Sequence, residues 1–277
     1  MESMREYWAR EAEMMRDKSA VLGTNTEDSS TFGKNIVKTA KRIFTNKVTF
    51  GLNSIRNKIK LFDTNYWVAD GESKLKMIAG KSPAKALLSI IDNTCGKQTL
   101  DCAQFVQVVY LGAILLTDGE KQFDVQMKGE FVLSSFRSTG VETETKYTRD
   151  IVNGKFAEDN NPKKPTKLTQ EALIKSAPIG SLVSVENFFV EKLATGSDTE
   201  GKKFALGIRA KGWERENMIK IGEDKYAAFG VGYDVNMKTV EKGLVDEFYG
   251  KGKYNASQET SMMQWIRVSQ IELFKRK

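Results

Sequence analysis

Asp101-Cys-Ala-Gln-Phe-Val-Gln-Val-Val-Tyr-Leu-Gly-Ala-Ile-Leu-Leu116 is apolar nearly all round from Ala103 onward. It is too long for an ordinary strand, and no proline or charge interrupts it. It therefore reads as a central helix that the remaining chain must bury. Upstream, Asn65-Tyr-Trp-Val-Ala69 and Lys74-Leu-Lys-Met-Ile78 read as short strands around an Asp70-Gly71 turn. Ser82 and Pro83 open a helix that runs through Ile91, as cap and first helical residue. Downstream, Ser181–Val185, Phe204–Ile208, Asn217–Ile221 and Tyr226–Phe229 read as strands, the last two joined by a hairpin loop over Gly222–Lys225. A final helix is expected from about Gln258 to Phe274. Helices come first and strands later, which indicates an α+β fold.

The chain has 277 residues, 40% of them apolar, enough for a sizeable core. No apolar run approaches the roughly 18 residues of a membrane-spanning helix. The segment Met1–Met15 has no apolar signal core, so no conventional export signal is expected; its Met4, Tyr7, Trp8, Ala12 and Met15 share one helical face. The stretch Gly23–Gly33, rich in Ser, Thr, Asn and Asp, reads as a loop joining that N-terminal helix to the body. Residues 158–165, with two of the four prolines, read as an exposed excursion.

The formal net charge of +7 is concentrated. No acidic residue lies between Asp28 and Asp63, while Lys34, Lys38, Lys41, Arg42, Lys47, Arg56, Lys58 and Lys60 do. Ile36, Ala40, Ile43, Phe44, Val48, Ile55 and Ile59 recur beneath them at roughly helical spacing. The plain reading is a solvated helix face; the sharper one is a surface over residues 34–60 for an anionic lipid, nucleic acid or acidic protein.

The most restrictive count is the absence of histidine. Two cysteines, Cys95 and Cys102, make neither a disulfide framework nor a mixed Cys/His zinc site. A Ser-His-Asp triad and a Cys-His dyad are excluded, so acid/base chemistry falls to carboxylates, lysine, tyrosine or cysteine. Cys102 enters the first turn of the buried helix, with Thr99 as the expected cap. The helix N-terminus favours thiolate, and the neighbouring Asp101 opposes it. The bland reading is a structural buried cysteine. A carboxylate partner is available in Gly212-Trp-Glu-Arg-Glu-Asn217, where Glu214 and Glu216 alternate toward one side of a strand. A buried Glu216 of raised pKa is a suitable proton acceptor for a thiol.

Several blocks resemble the spore-coat type of bacterial protein-glutamine gamma-glutamyltransferase. They are the cysteine helix, its approach through Asn65-Tyr-Trp-Val68 and Lys81-Ser-Pro-Ala-Lys-Ala86, Pro178-Ile-Gly-Ser-Leu-Val183, and Trp213-Glu-Arg-Glu-Asn-Met-Ile-Lys-Ile-Gly-Glu-Asp-Lys-Tyr-Ala-Ala-Phe-Gly-Val-Gly232. The family has Trp-Arg-Gly-Glu-Asn, an apolar strand, then Gly-Glu-Asp-Lys-Tyr-Phe-Ala-His-Gly-Leu-Gly. The resemblance runs in matching order from about Asn65 to Lys277. It implies a papain-like (NlpC-type) core with a central Cys-bearing helix packed on an antiparallel sheet, plus N-terminal helices. It implies an N-terminal helical arm over residues 1–62 and a catalytic domain over 63–277, with an insertion at about 130–170. By the same resemblance Cys102 is the nucleophile, Glu216 the catalytic glutamate and Asp101 the position of a second acid. Trp213, Asn217 and Phe229 are expected at the substrate site, Phe229 standing where the family has histidine.

The implied reaction is acyl transfer. A glutamine side chain of a protein substrate forms a thioester on Cys102, and a lysine amine or water takes the acyl group. No cofactor or metal is required. The resemblance is compatible with a cytoplasmic or spore-coat crosslinker, or with an effector or toxin domain delivered by specialised secretion. The alternative is a catalytically inactive papain-like scaffold that binds an anionic partner through its basic helix. Gly196-Ser-Asp-Thr-Glu-Gly-Lys-Lys203 comes near a phosphate-binding loop but ends in Lys203 where magnesium needs Ser or Thr, and reads as an exposed turn.

Overall fold

The computed structural model describes residues 26–51, 55–71, 74–128, 131–134, 147–153, 174, 177–210 and 215–276. The first half is mainly helical. Helix α1 (Thr26–Thr45) leads to strand β1 (Thr49–Phe50), and a short helix α2 (Ile55–Lys58) tightens into a 3₁₀ turn over Ile59–Leu61. Then come β2 (Trp67–Asp70), β3 (Lys74–Met77), α3 (Pro83–Ile91), β4 (Thr99–Leu100), the central α4 (Cys102–Asp118), α5 (Glu120–Gln126) and β5 (Val132–Ser134). The second half holds β6 (Tyr147–Asn153), β7 (Leu182–Asn187), α6 (Phe188–Thr195), α7 (Thr199–Ala210), β8 (Arg215–Gly222), β9 (Lys225–Ala228), β10 (Gly232–Val235), α8 (Met237–Tyr249), α9 (Ala256–Met263) and β11 (Ile266–Arg276).

Six strands form one antiparallel sheet in the order β10-β9-β8-β7-β11-β6. Both of its faces are covered, which explains why its strands read as apolar runs instead of alternating ones. Successive side chains divide between two cores. Leu182, Ile219, Ala227 and Phe229 join the core built with α1, α3 and α4. Val183, Val185, Met218, Tyr226 and Ala228 join the core beneath α6 to α9. The expected α+β, papain-like arrangement, a cysteine helix against an antiparallel sheet, is the observed one. The β8–β9 hairpin closes at Gly222–Lys225, and Ser82 caps α3 through the Lys85 N–H at 3.2 Å, both as read from sequence. No helix among the described residues is long and apolar enough to cross a membrane.

Helix α1 lies along α4. Its Phe32, Ile36, Ala40 and Ile43 are buried in the same core as α4, whereas Lys34, Lys38, Lys41 and Arg42 face solvent. Gly112 permits the approach: a Cβ there would lie 2.5 Å from Thr39 Cγ2 and 2.9 Å from Ile91 Cδ1. The described part of the expected arm therefore contributes Phe32, Ile36, Ala40, Ile43, Val48 and Phe62 to the core built on α4. The N-terminal amphipathic segment, residues 158–165 and most of the expected insertion lie outside the described residues; Tyr147–Asn153 from that insertion forms an edge strand.

Several local expectations are corrected. Residues 26–33 start α1 instead of forming a loop, because Phe32 anchors the first turns in the core. Phe204–Ile208 lies within α7, not a strand; Asp198 accepts the Glu200 and Gly201 N–H groups and starts that helix. The expected helix over 258–274 is α9 followed by β11, whose long pairing with β6 and β7 outweighs local helix propensity. Thr99 lies in β4, and the cap of α4 is Asp101.

Candidate active site

The first turn of α4 is fixed by a reciprocal capping box. Asp101 Oδ1 accepts the Gln104 N–H at 2.8 Å, and Gln104 Oε1 accepts the Asp101 N–H at 3.2 Å. Cys102 follows as the first helical residue and is only 7% exposed. Buried α4 thus presents one sulfur at the end where backbone N–H groups lack intrahelical acceptors.

Strand β8 supplies the residues opposite. Asn217 Nδ2 donates to Cys102 Sγ at 3.5 Å, and Ser184 Oγ of the adjacent β7 donates to Asn217 Oδ1 at 2.7 Å. Ser184 and Asn217 are directly paired across the two strands. One residue earlier, Glu216 is 1% exposed and accepts the Gly230 N–H at 3.2 Å, with the Phe229 backbone also bonded to its carboxylate. Glu216 and Cys102 are not hydrogen-bonded to each other; they interact through space. Arg215, on the face that Asn217 uses, pairs with Glu186 of β7 and acts on the same sulfur electrostatically.

These surroundings set the protonation. Burial first, then the charges of Glu216 and Asp101, push the Cys102 thiol up to about 12, against a smaller opposing effect of the Asn217 hydrogen bonds. The helix terminus does not overcome them, so the resting group is a thiol. Burial pushes Glu216 up to about 7, partly offset by the Gly230 and Phe229 N–H groups. Near neutrality Glu216 is poised between its two forms, which suits a proton acceptor and donor.

The site residues expected from sequence divide clearly. Asp101, Cys102 and Asn217 come together, and Glu216, the residue before Asn217, acts on the sulfur only through space. Trp213 and Glu214 lie outside the described residues. Phe229 is a core residue whose ring stacks on Phe105 of α4 at 4.5 Å and an interplanar angle of 5°; it meets the site through its backbone. Phe44 and Phe50 pack edge-on around it. Sequence reading did not single out Ser184 or Gln104. The signals were a hydroxyl within a fully buried strand and a polar residue three places after an acidic cap. Lys58 departs from the solvated basic face: it is 2% exposed, and its Nζ donates to Gly51 O at 3.1 Å and Gln104 Oε1 at 3.3 Å.

The family model for protein-glutamine gamma-glutamyltransferase matches residues 28–170, more than half of the sequence. The chain belongs to this family. Membership supports a protein-glutamine gamma-glutamyltransferase-like function, an acyltransferase class acting on protein substrates. The matched span includes Asp101 and Cys102 and ends before β7 and β8. Among solved structures, a transglutaminase from Geobacillus stearothermophilus, without its C-terminal extension, is similar with a TM-score of 0.55 at 12% identity, over 88% of this chain and 90% of that one. That similarity extends the family fold across the second half, where Glu216 and Asn217 reside. No curated protein matches the sequence.

Proposed function

We propose that this gamma-glutamyltransferase family member transfers the acyl group of a protein glutamine through a thioester on Cys102, with Glu216 as general base and acid. The observation that supports this reading is a buried helix-terminal thiol held by the Asn217 amide, with a buried carboxyl pushed up to about 7 on the preceding residue of the same strand and acting on that thiol through space.

Because the proton resides on sulfur at rest, attack is assisted and does not proceed from a preformed thiolate. As the Cys102 Sγ–carbon bond forms at the glutamine side-chain amide, Glu216 accepts the thiol proton and the carbonyl oxygen becomes an oxyanion. The Gln104 N–H is committed to Asp101, and the Cys102 N–H is the donor assigned to that oxyanion. Collapse breaks the carbon–nitrogen bond, and Glu216 returns the proton so that ammonia leaves. A lysine amine then attacks the thioester, Glu216 accepts its proton, and Cys102 Sγ leaves and is reprotonated. The product is an isopeptide crosslink. Water in the amine's place gives deamidation. Asn217, held by Ser184, keeps the sulfur in line, and Asp101 holds the turn that carries it. The family resemblance supports Trp213 and Asn217 as substrate-binding residues. The departures from the compact family pattern, a basic N-terminal region and the insertion at 130–170, support deployment as an effector domain.

Incubation with a labelled primary amine and a glutamine-rich protein tests the activity. Label is expected with the native chain and is lost in Cys102→Ala. Absence of labelling, or equal labelling by both, favours the inactive scaffold, whose solvent-facing Lys34, Lys38 and Lys41 would then be the binding surface.

A further inference from the structure

We infer that Lys58 is a positioning residue for Cys102: its buried ammonium clamps the Asp101–Gln104 capping box and offsets the Asp101 carboxylate one residue before the sulfur. This rests on Cys102 being the nucleophile. Lys58 is 2% exposed, and an isolated ammonium at that depth is costly unless it is bonded and paired. One backbone and one side-chain acceptor explain the placement. Gly51 O belongs to the segment following β1, and Gln104 Oε1 is the same oxygen that closes the capping box on the Asp101 N–H. Asp101 is 1% exposed and is the charge that acts favourably on Lys58. One buried cation thus joins the α2 turn to the first turn of the nucleophile's helix. The charged groups that act on the sulfur are Asp101 on its own element and Glu216 and Arg215 on β8; Asp101 is the one with which Lys58 is coupled. With Lys58 removed, the field of Asp101 at the thiol loses a compensating charge and the turn loses a tether.

The test is the rate of iodoacetamide alkylation of Cys102 against pH, in the full chain carrying Cys95→Ser so that the exposed second thiol is silent. Lys58→Met is expected to raise the apparent thiol pKa by about one unit, slowing alkylation about tenfold at a fixed mildly alkaline pH. Adding Asp101→Asn, which keeps a good helix cap while removing the charge, is expected to return the rate to within about threefold of the starting protein. Lys58→Gln retains a donor for Gln104 without the charge and gives the same contrast should the methionine variant unfold. An unchanged pH profile in Lys58→Met, or equal slowing with and without Asp101→Asn, overturns the inference. Alkylation needs no glutamine or amine, so its outcome is independent of whether amine transfer is found.

Discussion

Replacing Glu216 by Gln is expected to abolish turnover and to stabilise the fold above neutral pH. Glu216 is almost wholly buried, and its pKa rises from the ordinary 4.5 to about 7 because burial disfavours the charge more than the Gly230 and Phe229 N–H groups can offset. A carboxyl with a higher pKa in the folded than in the unfolded chain binds its proton more tightly when folded. Stability is therefore fullest below about pH 4.5, falls as pH rises toward 7, and is lower by about 3 kcal/mol beyond that. Glutamine has no charge to bury, and its side-chain oxygen can still accept the Gly230 N–H. Urea unfolding of native and Glu216→Gln protein, compared from about pH 4 to about pH 9, provides the assay. The two are expected to coincide at the acid end and to separate by up to about 3 kcal/mol in favour of the variant at the alkaline end. In melting temperature this is on the order of 6 °C for a chain of this size. A pH-independent offset, or a variant that is weaker above pH 8, refutes the claim that Glu216 is held at the expense of stability.

Amine incorporation at saturating substrate should rise with pH through about 7 as Glu216 loses its proton, a limb that a pH–rate profile reads directly. Asn217→Ala removes the hydrogen bond to sulfur and is expected to lower kcat about tenfold with a smaller change in KM, by steady-state kinetics. Phe229→Ala should destabilise by about 3–5 kcal/mol in denaturant unfolding, because it removes the ring stacked on Phe105. Phe229→His, which introduces the residue of the resembling family, is expected to lose stability, since the ring is packed in an apolar core against Phe105.

Much of this architecture was legible because its signals are local. The all-round apolarity of Ala103–Leu116 marked a buried helix, Ser82-Pro83 marked a helix start, and the Gly222–Lys225 turn marked a hairpin. The misreadings have a common cause. Residues 26–33 are polar enough to resemble a loop, yet Phe32 finds the core only once α1 lies on α4. Phe204–Ile208 and the segment from Ile266 onward carry apolar residues at spacings that suit either element. Partners remote in sequence decide such segments: β6 and β7 draw out β11.

The site was legible in kind and incomplete in wiring. Lacking histidine, the chain leaves acid/base chemistry to carboxylates, lysine, tyrosine or cysteine, and the Trp213–Gly232 block pointed to Glu216 and Asn217. Strand alternation does not tell that Asn217 makes the contact with sulfur while Glu216 acts through space. Nor does spacing reveal that burial outweighs the helix terminus at Cys102, leaving a thiol. Lys58 was hidden in a run of basic residues of which Lys34, Lys38, Lys41, Arg42, Lys47 and Lys60 face solvent, because the depth of one side chain depends on where the α2 turn meets Gln104.

Acyl transfer by this chain is expected to pass through a covalent acyl-enzyme on Cys102. Mass spectrometry of the intact chain, incubated with a glutamine peptide in the absence of amine and quenched in acid, tests it most directly. The expected product is the chain plus peptide less one ammonia, located at Cys102 and discharged when amine is added. Amine transfer that persists in Cys102→Ala, or an adduct located on another residue, contradicts it.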